Sequence, residues 1–231
     1  MQQHIPAAQW QSLHGIHTVA TNTHAPWTHA PRRYRHAGLI TAAGASSRMG
    51  TPKALLPLPD RTPLAEHQSN RLKQAGCERV LVVVGAQADT VQPALANCET
   101  VINPQWATGR LSSIRAGLKP LSSFDGCFIM PVDAYGVSLD TFKAMREVAE
   151  TGLHAVVRPT YKATPGHVVW IAQRTLVEVL ATDTAADTPM HALLAPHTHR
   201  LPVPDPAILR NLNTPAEWAR ALAAEESDPT P

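Results

Sequence analysis

The chain has 231 residues, of which 44% are hydrophobic and 16% are charged, and its formal net charge is +2. A chain of this length can bury enough apolar surface for one globular domain without help from disulfides. It has neither a run of about 18 apolar residues nor a short apolar segment behind an N-terminal charge, so a membrane span and a secretory signal are not expected. We therefore expect a soluble, cytoplasmic protein without a membrane partner.

The positive charge is concentrated near the beginning of the chain. No acidic residue precedes Asp60, whereas the remainder of the chain holds 15 basic and 18 acidic residues. The five early basic residues are Arg32, Arg33, Arg35, Arg48 and Lys53. Because the surplus is local, the charge does not indicate a surface that binds nucleic acid.

The chain has three cysteines, Cys77, Cys98 and Cys127. Their odd number and their lack of metal-ligand spacing disfavour both a disulfide framework and a zinc site. Two of them border apolar runs. We therefore predict buried free thiols.

Residues 1–36 differ in composition from the rest of the chain. They contain six of the twelve histidines and show no sustained periodicity among their apolar residues, which predicts an irregular or disordered extension. The histidine spacing provides one close pair and no acidic partner, which disfavours a metal site. From 37 to 224, short apolar runs alternate with amphipathic ones, as is typical of an α/β domain. Residues 225–231 are predicted to form an acidic tail.

Seven short apolar runs are predicted to be strands, and several of them are almost continuously apolar. Such runs are typical of strands that are covered on both faces in a mostly parallel sheet. They span residues 38–41, 79–84, 100–102, 127–132, 155–157, 168–171 and 200–203.

Four helices are predicted between and after these strands. The first begins after Thr62 and Pro63 and ends at Gly76. Apolar side chains spaced three or four residues apart indicate the next two, around Ile114 and around Met145.

The last predicted helix begins at Thr214, where Pro215 and Glu217 complete a capping box. The alternation of strands and helices predicts right-handed crossovers. It also predicts a ligand crevice at the carboxyl ends of the strands.

The first predicted strand runs into a loop rich in small residues, TAAGASSRMGTPK (41–53). Small residues let backbone N–H groups approach a phosphate, and Gly44 and Gly50 are expected to allow positive φ angles. Arg48 and Lys53 would add two positive charges. The loop has neither a P-loop ending nor the dinucleotide fingerprint. We predict a phosphate-binding loop, with a flexible Gly/Ser loop as the alternative.

Asp133 follows the fourth predicted strand directly. A carboxylate at the carboxyl end of a buried strand lies at the predicted crevice and can hold Mg²⁺ against a substrate phosphate. An aspartate in this position can equally be a turn or helix-cap residue. The neighbouring loop favours the metal-binding interpretation.

Six segments resemble, in order, the MobA-like nucleotidyltransferase family, and within it the molybdenum cofactor cytidylyltransferases. The segments are LITAAGASSRMGTPKALLPL (39–58), INPQWATGRLSSIRAGL (102–118), GCFIMPVDAYGVSLDTF (126–142), PGHVVWI (165–171), MHALL (190–194) and NLNTPAEW (211–218). In the first segment, Ala-Ala-Gly and Pro-Lys stand where the guanylyl-transferring branch has Gly-Gly and Asp-Lys. The resemblance covers about residues 37–224. It implies a three-layer, Rossmann-like α/β nucleotidyltransferase fold with a mostly parallel central sheet.

The resemblance also implies a nucleotide site. Its members would be Ala42, Ala43, Gly44, Ser46, Arg48, Lys53, Gly85, Asn103, Gly109, Ser112 and Asp133. Arg48, Lys53 and Asp133 would be the catalytic residues. Gly85 and Asn103 would lie near the base and ribose, and Gly109, Ser112 and Ser113 would open a helix beside the nucleotide.

A metal contact and an acceptor loop are implied as well. Asp133 would coordinate Mg²⁺, and the second contact would fall on Asn211 or Asn213. The loop with Gly166 and His167 would face the acceptor substrate. For His167 a role in loop packing is the alternative.

Three departures from the family pattern bear on these roles. Ala134 and Tyr135 follow Asp133, where the family has one residue and then proline. Val168 replaces the usual proline after His167. Asparagines replace the C-terminal aspartates of the cytidylyl branch, although an asparagine carbonyl can still bind Mg²⁺.

The implied activity is transfer of CMP from CTP to the phosphate of a molybdopterin-type cofactor, with Mg²⁺ and with release of pyrophosphate. The implied partners are CTP, a phosphorylated pterin and a molybdoenzyme or its maturation factor. One alternative is guanylyl or other nucleotidyl transfer to a different phosphorylated acceptor. Another is a weakly catalytic protein that binds or delivers the molybdenum cofactor.

Three tryptophans lie within or beside the matching segments: Trp106, Trp170 and Trp218. Each could stack on a base or a pterin. Burial in the core is the favoured interpretation for all three.

Overall fold

Eight strands form one sheet in the part of the chain that the computed structural model describes, residues 33–181 and 190–227. They are β1 (His36–Ala42), β2 (Cys77–Val84), β3 (Glu99–Ile102), β4 (Gly126–Pro131), β5 (Val156–Tyr161), β6 (Thr164–Pro165), β7 (Val169–Ala172) and β8 (Thr198–Pro202). All seven predicted strands are present. The two-residue strand β6 was not predicted.

The strands follow the order β3-β2-β1-β4-β7-β5-β6, and β8 pairs with β5. The pairs β3-β2, β2-β1 and β1-β4 are parallel. Strand β7 is antiparallel to both β4 and β5, whereas β8 is parallel to β5. The predicted mostly parallel sheet is confirmed.

The helices in the described residues are α1 (Leu64–Gln74), α2 (Ala88–Ala94), α3 (Arg110–Leu118), α4 (Leu139–Glu150), α5 (Gln173–Ala181), α6 (Met190–Leu194) and α7 (Pro215–Ser227). The four predicted helices correspond to α1, α3, α4 and α7. Helices α2, α5 and α6 were not predicted. No described helix is long and apolar enough to cross a bilayer.

Apolar side chains on the two faces of the sheet form separate clusters, as the pleat of a strand requires. Phe128 and Met130 of β4 pack in one cluster with residues of α1, α4 and α7. Ile129, their neighbour on the opposite face, packs with residues of α3, α5 and α6. Helices on both faces of a central sheet give the expected three-layer α/β architecture.

The first strand begins at His36, a residue that was predicted to belong to the N-terminal extension. The structure corrects this assignment, because the His36 ring is buried and accepts a hydrogen bond from the Trp170 Nε1–H at 3.2 Å. Its Nε2 lies 3.0 Å from Glu150 Oε1. One polar residue before an apolar run gives no sequence signal for such burial. Residues 1–32 and 228–231 of the predicted extension and tail lie outside the described residues.

The cysteines are free, and Cys77 and Cys127 are buried as predicted, whereas Cys98 is partly buried. Burial raises the pKa of the Cys77 thiol to about 12. Burial also raises the pKa of the Cys127 thiol. Both residues are structural members of the sheet.

Candidate active site

A cavity of about 330 Å³ opens at the carboxyl ends of β1 and β4. Its walls are the loop after β1, the segment before α3, the turn after β4, and Asn213 just before α7. This is the position at which a parallel α/β sheet is expected to bind its ligand. Most of the predicted nucleotide-binding residues line this cavity. They are Ala42, Ala43, Gly44, Ser46, Arg48, Lys53, Gly109 and Asp133.

The loop after β1 turns at Ser46, which has a φ of 52°. The Ser46 carbonyl accepts a hydrogen bond from Met49 N at 2.9 Å, and its hydroxyl accepts one from Lys53 N at 3.1 Å. Gly50 has the predicted positive φ of 72°. The prediction was wrong for Gly44, whose φ is not positive; a Cβ there would meet nothing within 4 Å. Gly44 leaves open space beside the cavity, and Ser46 holds the turn through its own hydrogen bonds.

Lys53 joins the two sides of the cavity. Its Nζ donates to Asp133 Oδ2 at 2.6 Å and to Asn213 Oδ1 at 2.8 Å. Arg48 Nη2 donates to the same Asn213 oxygen at 3.2 Å. The side chains of Lys53 and Asp133 are 14% and 18% exposed. The two predicted cations and the predicted carboxylate thus converge on one point.

Asn211 and Asn213 make different contacts in the site. With its amide nitrogen facing the carboxylate, Asn211 donates to Asp133 Oδ2 at 2.8 Å and to Oδ1 at 3.2 Å. Asn213 lines the cavity and points its carbonyl oxygen toward Lys53. Asn213 is therefore the better placed of the two to supply an oxygen ligand to a cation.

The capping box of α7 fixes the backbone of Asn213. Glu217 Oε2 accepts hydrogen bonds from Asn213 N at 2.6 Å and from Thr214 N at 2.9 Å. Glu217 N in turn donates to Thr214 Oγ1 at 3.3 Å, which confirms the predicted capping box. The Asn213 N–H lowers the pKa of the Glu217 carboxyl, and the Thr214 donors lower it further. Glu217 thus links the start of α7 to the cavity.

The turn that contains Asp133 is stabilised by a side-chain hydrogen bond and by buried packing. Gln68 of α1 donates through Nε2 to the Ala134 carbonyl at 2.8 Å. Tyr135 is fully buried, and its ring centroid lies 5.1 Å from that of Trp218. Ala134 and Tyr135 replace the family's proline-containing turn with buried packing and a side-chain hydrogen bond.

The oxygens around Lys53 suit a hard cation. Asp133 Oδ2 and Asn213 Oδ1 both contact one ammonium group, so a positive charge already lies between them. No group of three or more His, Cys, Asp or Glu side chains forms a metal cluster within the described residues. Mg²⁺ commonly needs only one or two protein oxygens, because water and substrate phosphates complete its octahedron. The donor set therefore fits a divalent ion that arrives with a phosphate.

Three predicted nucleotide contacts, Gly85, Asn103 and Ser112, lie beside the cavity and do not line it. Asn103 is buried and donates through Nδ2 to the hydroxyls of Ser112 at 2.8 Å and Ser113 at 3.1 Å. A Cβ at Gly85 would lie 2.6 Å from the Trp106 Cβ. In the structure these residues hold the cavity wall in place, and their contact with a nucleotide stays a prediction.

The predicted acceptor loop also lies outside the cavity lining. Gly166 N donates to the Pro159 carbonyl at 2.8 Å, and His167 N donates to the Ile208 carbonyl at 3.0 Å. A Cβ at Gly166 would lie 2.9 Å from the Ile208 Cβ. Val168 is buried where the family has proline. The contact of Gly166 and His167 with an acceptor stays a prediction.

The cavity has further wall residues. Trp106 lines it and is partly buried against the core, so its predicted burial is confirmed only in part, whereas Trp170 and Trp218 are buried as predicted. Ser113, which was expected beside the nucleotide, lines the cavity, and so does Arg110, which was not predicted. The position of Arg110 after the end of β3 was a usable signal, because the edge rule that selected Asp133 applies to β3 as well.

Comparison with known proteins places this site in a family. Residues 38–201 match the MobA-like NTP transferase domain. The chain is 26% identical over 186 residues to the molybdenum cofactor cytidylyltransferase of Escherichia coli K12, and this alignment covers 79% of this chain and 93% of the relative. It is 28% identical over 201 residues to the molybdenum cofactor guanylyltransferase of Xanthomonas euvesicatoria pv. vesicatoria, covering 85% and 95% of the two chains.

A solved structure shares the fold. Rv0371c from Mycobacterium tuberculosis H37Rv superposes with a TM-score of 0.68 at 25% identity, covering 82% of this chain and 98% of that one. The same mycobacterial protein has also been solved in complex with manganese, with a TM-score of 0.66 at 23% identity over 82% and 99% of the two chains. The matched domain, together with the three-layer α/β architecture and the cavity, establishes that this chain belongs to the MobA-like NTP transferase family of nucleotidyltransferases, alongside molybdenum cofactor cytidylyltransferases and guanylyltransferases.

Proposed function

We propose that the protein transfers CMP from CTP to the phosphate of a molybdopterin-type cofactor and releases pyrophosphate. The convergence of Arg48, Lys53, Asp133 and Asn213 at the phosphate-binding loop is the observation that carries the proposal. The two cations suit a triphosphate, and the two oxygens suit the metal ion that accompanies it.

The residues would act mainly by positioning and by neutralising charge. Phosphoryl-type transfers need little covalent help from a protein, and an ionised acceptor phosphate needs no general base. Arg48 would form paired hydrogen bonds with phosphate oxygens, and Lys53 would leave Asp133 to contact the triphosphate. Asp133 and Asn213 would then hold Mg²⁺, which when bound neutralises charge on the transferring phosphate.

The preference for CTP rests on the loop after β1. Ala42, Ala43 and Gly44, with Pro52 before Lys53, resemble the cytidylyl branch and line or flank the cavity. Guanylyl transfer is the second candidate. Two observations favour it: Asn211 and Asn213 replace the aspartates of the cytidylyl branch, and guanylyltransferases are among the relatives.

The test is release of pyrophosphate from CTP, GTP, ATP and UTP, each with and without molybdopterin, in Mg²⁺, in Mn²⁺ and with EDTA. We expect acceptor-dependent release that requires a divalent ion and is fastest with CTP. Faster release from GTP would replace cytidylyl with guanylyl transfer. Release at the background rate with all four nucleotides would contradict both and leave cofactor binding or delivery as the function.

A further inference from the structure

Three arginines form a basic cluster on the α3 face of the sheet, beside the nucleotide cavity. Arg158 of β5 and Arg200 of β8 are direct partners in adjacent parallel strands, so their side chains project from the same face. The neighbouring Val156 packs on that face with Ile114 of α3. Arg110 begins α3 and lines the cavity. We call Arg110, Arg158 and Arg200 the arginine cluster.

The cluster is electrostatically unfavourable without an anion. Burial lowers the pKa of Arg158, and the positive charges of Arg200 and Arg110 lower it further. Within the described ranges, no carboxylate forms an ion pair with any of the three guanidinium groups. Like charges placed side by side in a sheet cost stability. A bound anion would remove this cost.

The cluster also touches the loop that the family resemblance assigns to the acceptor. Arg158 Nε donates to the Gly166 carbonyl at 2.8 Å, which orients its guanidinium. Its terminal nitrogens make no hydrogen bond to another described residue. Arg200 lines a surface depression of about 650 Å³, to which Lys162 adds another positive charge. Basic groups therefore extend from the cavity wall, at Arg110, to this depression.

The geometry points to the arginine cluster as the site for the phosphate monoester of the acceptor. This assignment rests on the proposed nucleotidyl transfer and adds the acceptor's position to it. Guanidinium groups bind phosphate through paired hydrogen bonds, and three of them can hold a dianion. Arg48 and Lys53 would serve the nucleotide, whereas Arg158 and Arg200 would serve the acceptor. Arg110 lines the nucleotide cavity, so it would lie where the two phosphates meet.

The test uses 6-hydroxymethylpterin phosphate as a fluorescent probe, with 6-hydroxymethylpterin as the control that lacks phosphate. Binding is measured by anisotropy with and without saturating CTP and Mg²⁺. We expect Arg200→Gln to weaken probe binding about tenfold, because it removes one charge-assisted hydrogen bond. The double variant Arg110→Gln/Arg200→Gln should bind the probe more weakly still. The matched control is Arg174→Gln, because Arg174 is 90% exposed on α5 and pairs with Glu178. The control variant should bind the probe like the wild type.

Separate measurements distinguish this assignment from the proposed function. CTP affinity, measured by calorimetry, should be unchanged in Arg200→Gln, and the melting temperature of each variant establishes that it is folded. Any one of three results would overturn the assignment. Arg200→Gln could bind the probe as tightly as the wild type, the two pterins could bind equally well, or CTP could displace the probe. A protein that binds the probe through these arginines but releases no pyrophosphate would instead contradict the proposed function.

Discussion

At the scale of single residues, the site depends on one ammonium group. Lys53 contacts both Asp133 and Asn213, so its charge balances the carboxylate before any ligand enters. An ion pair that is mostly shielded from solvent needs both partners, because removal of either leaves the other charge uncompensated. Loss of either partner should therefore disturb the site, and the kinetic effects of the two variants should differ only because Lys53 and Asp133 have different proposed roles.

Asp133→Ala should lower turnover by on the order of 10²–10³-fold, because it removes the carboxylate proposed to hold the Mg²⁺ that neutralises the transferring phosphate. Lys53→Ala should weaken nucleotide binding about tenfold and also slow turnover. The measurement is steady-state pyrophosphate release over a range of CTP concentrations. Lys143→Ala, which removes a lysine paired with Asp140 on the surface, is the control and should behave as wild type. Near-normal turnover by Asp133→Ala would exclude its assigned role.

Cys77 predicts a dependence of stability on alkaline pH. Its pKa is raised to about 12 from a usual value of 9.0, so the folded state disfavours the thiolate. A raised pKa contributes stability that is fully present below pH 9 and is lost as the pH rises toward 12. Melting temperatures of wild type and Cys77→Ala between pH 8 and pH 10.5 should therefore converge at the alkaline end. A constant difference across this range would contradict the prediction.

At the scale of elements, the fastening of α3 to the sheet shapes one wall of the cavity. Gly117 of α3 packs so closely that a Cβ would lie 2.2 Å from Leu39 Cδ1 of β1 and 2.7 Å from Val83 Cγ2 of β2. The side chains of Asn103, Ser112 and Ser113 tie the same helix to the end of β3. Close packing and buried hydrogen bonds thus set the position from which Arg110 and Ser113 face the cavity.

Gly117→Ala should destabilise the protein by about 1–3 kcal/mol, although alanine is the better helix former by roughly 1 kcal/mol. The added methyl group must push apart β1, β2 and α3. Urea unfolding followed by circular dichroism gives the change in free energy. Gly44→Ala is the contrasting variant, since its Cβ meets nothing within 4 Å, and it should unfold at the wild-type urea concentration. Greater stability for Gly117→Ala would show that the helix can shift at little cost.

The helices and strands that were predicted correctly have strong apolar patterns or recognisable capping residues at their ends. Strand β4 is apolar throughout, and Thr214 and Glu217 mark the start of α7. Strand β6 has only two residues, and Pro93 lies within α2, so neither shows a usable pattern. Asp133 was predictable because strand order brings carboxyl ends together. The sequence does not tell whether the polar side chain of Asn103 faces a cavity or a buried hydroxyl, so its contact with a nucleotide stays a prediction.

At the scale of the whole molecule, ligand binding should raise the free energy of unfolding. A nucleotide that binds only the folded protein adds about 2.7 kcal/mol when its concentration is a hundred times its Kd. For a chain of this size, such a gain raises Tm by about 5–10 °C. We expect this shift with CTP and Mg²⁺, and a smaller one with either alone, in a thermal-shift screen of nucleotides against metals. Equal Tm shifts with CTP, GTP, ATP and UTP would contradict selective recognition of the base by the cavity.

The contacts of Lys53 also have a consequence for the order in which activity arises during folding. Lys53 is 80 positions from Asp133 and 160 from Asn213, so the site unites three distant regions of the chain. Contacts of such long range form late, because the intervening chain must be ordered first. All eight strands of the sheet precede Asn213 in the chain. Refolding protein should therefore regain sheet structure before it can hold a nucleotide, and binding should return only when the start of α7 docks.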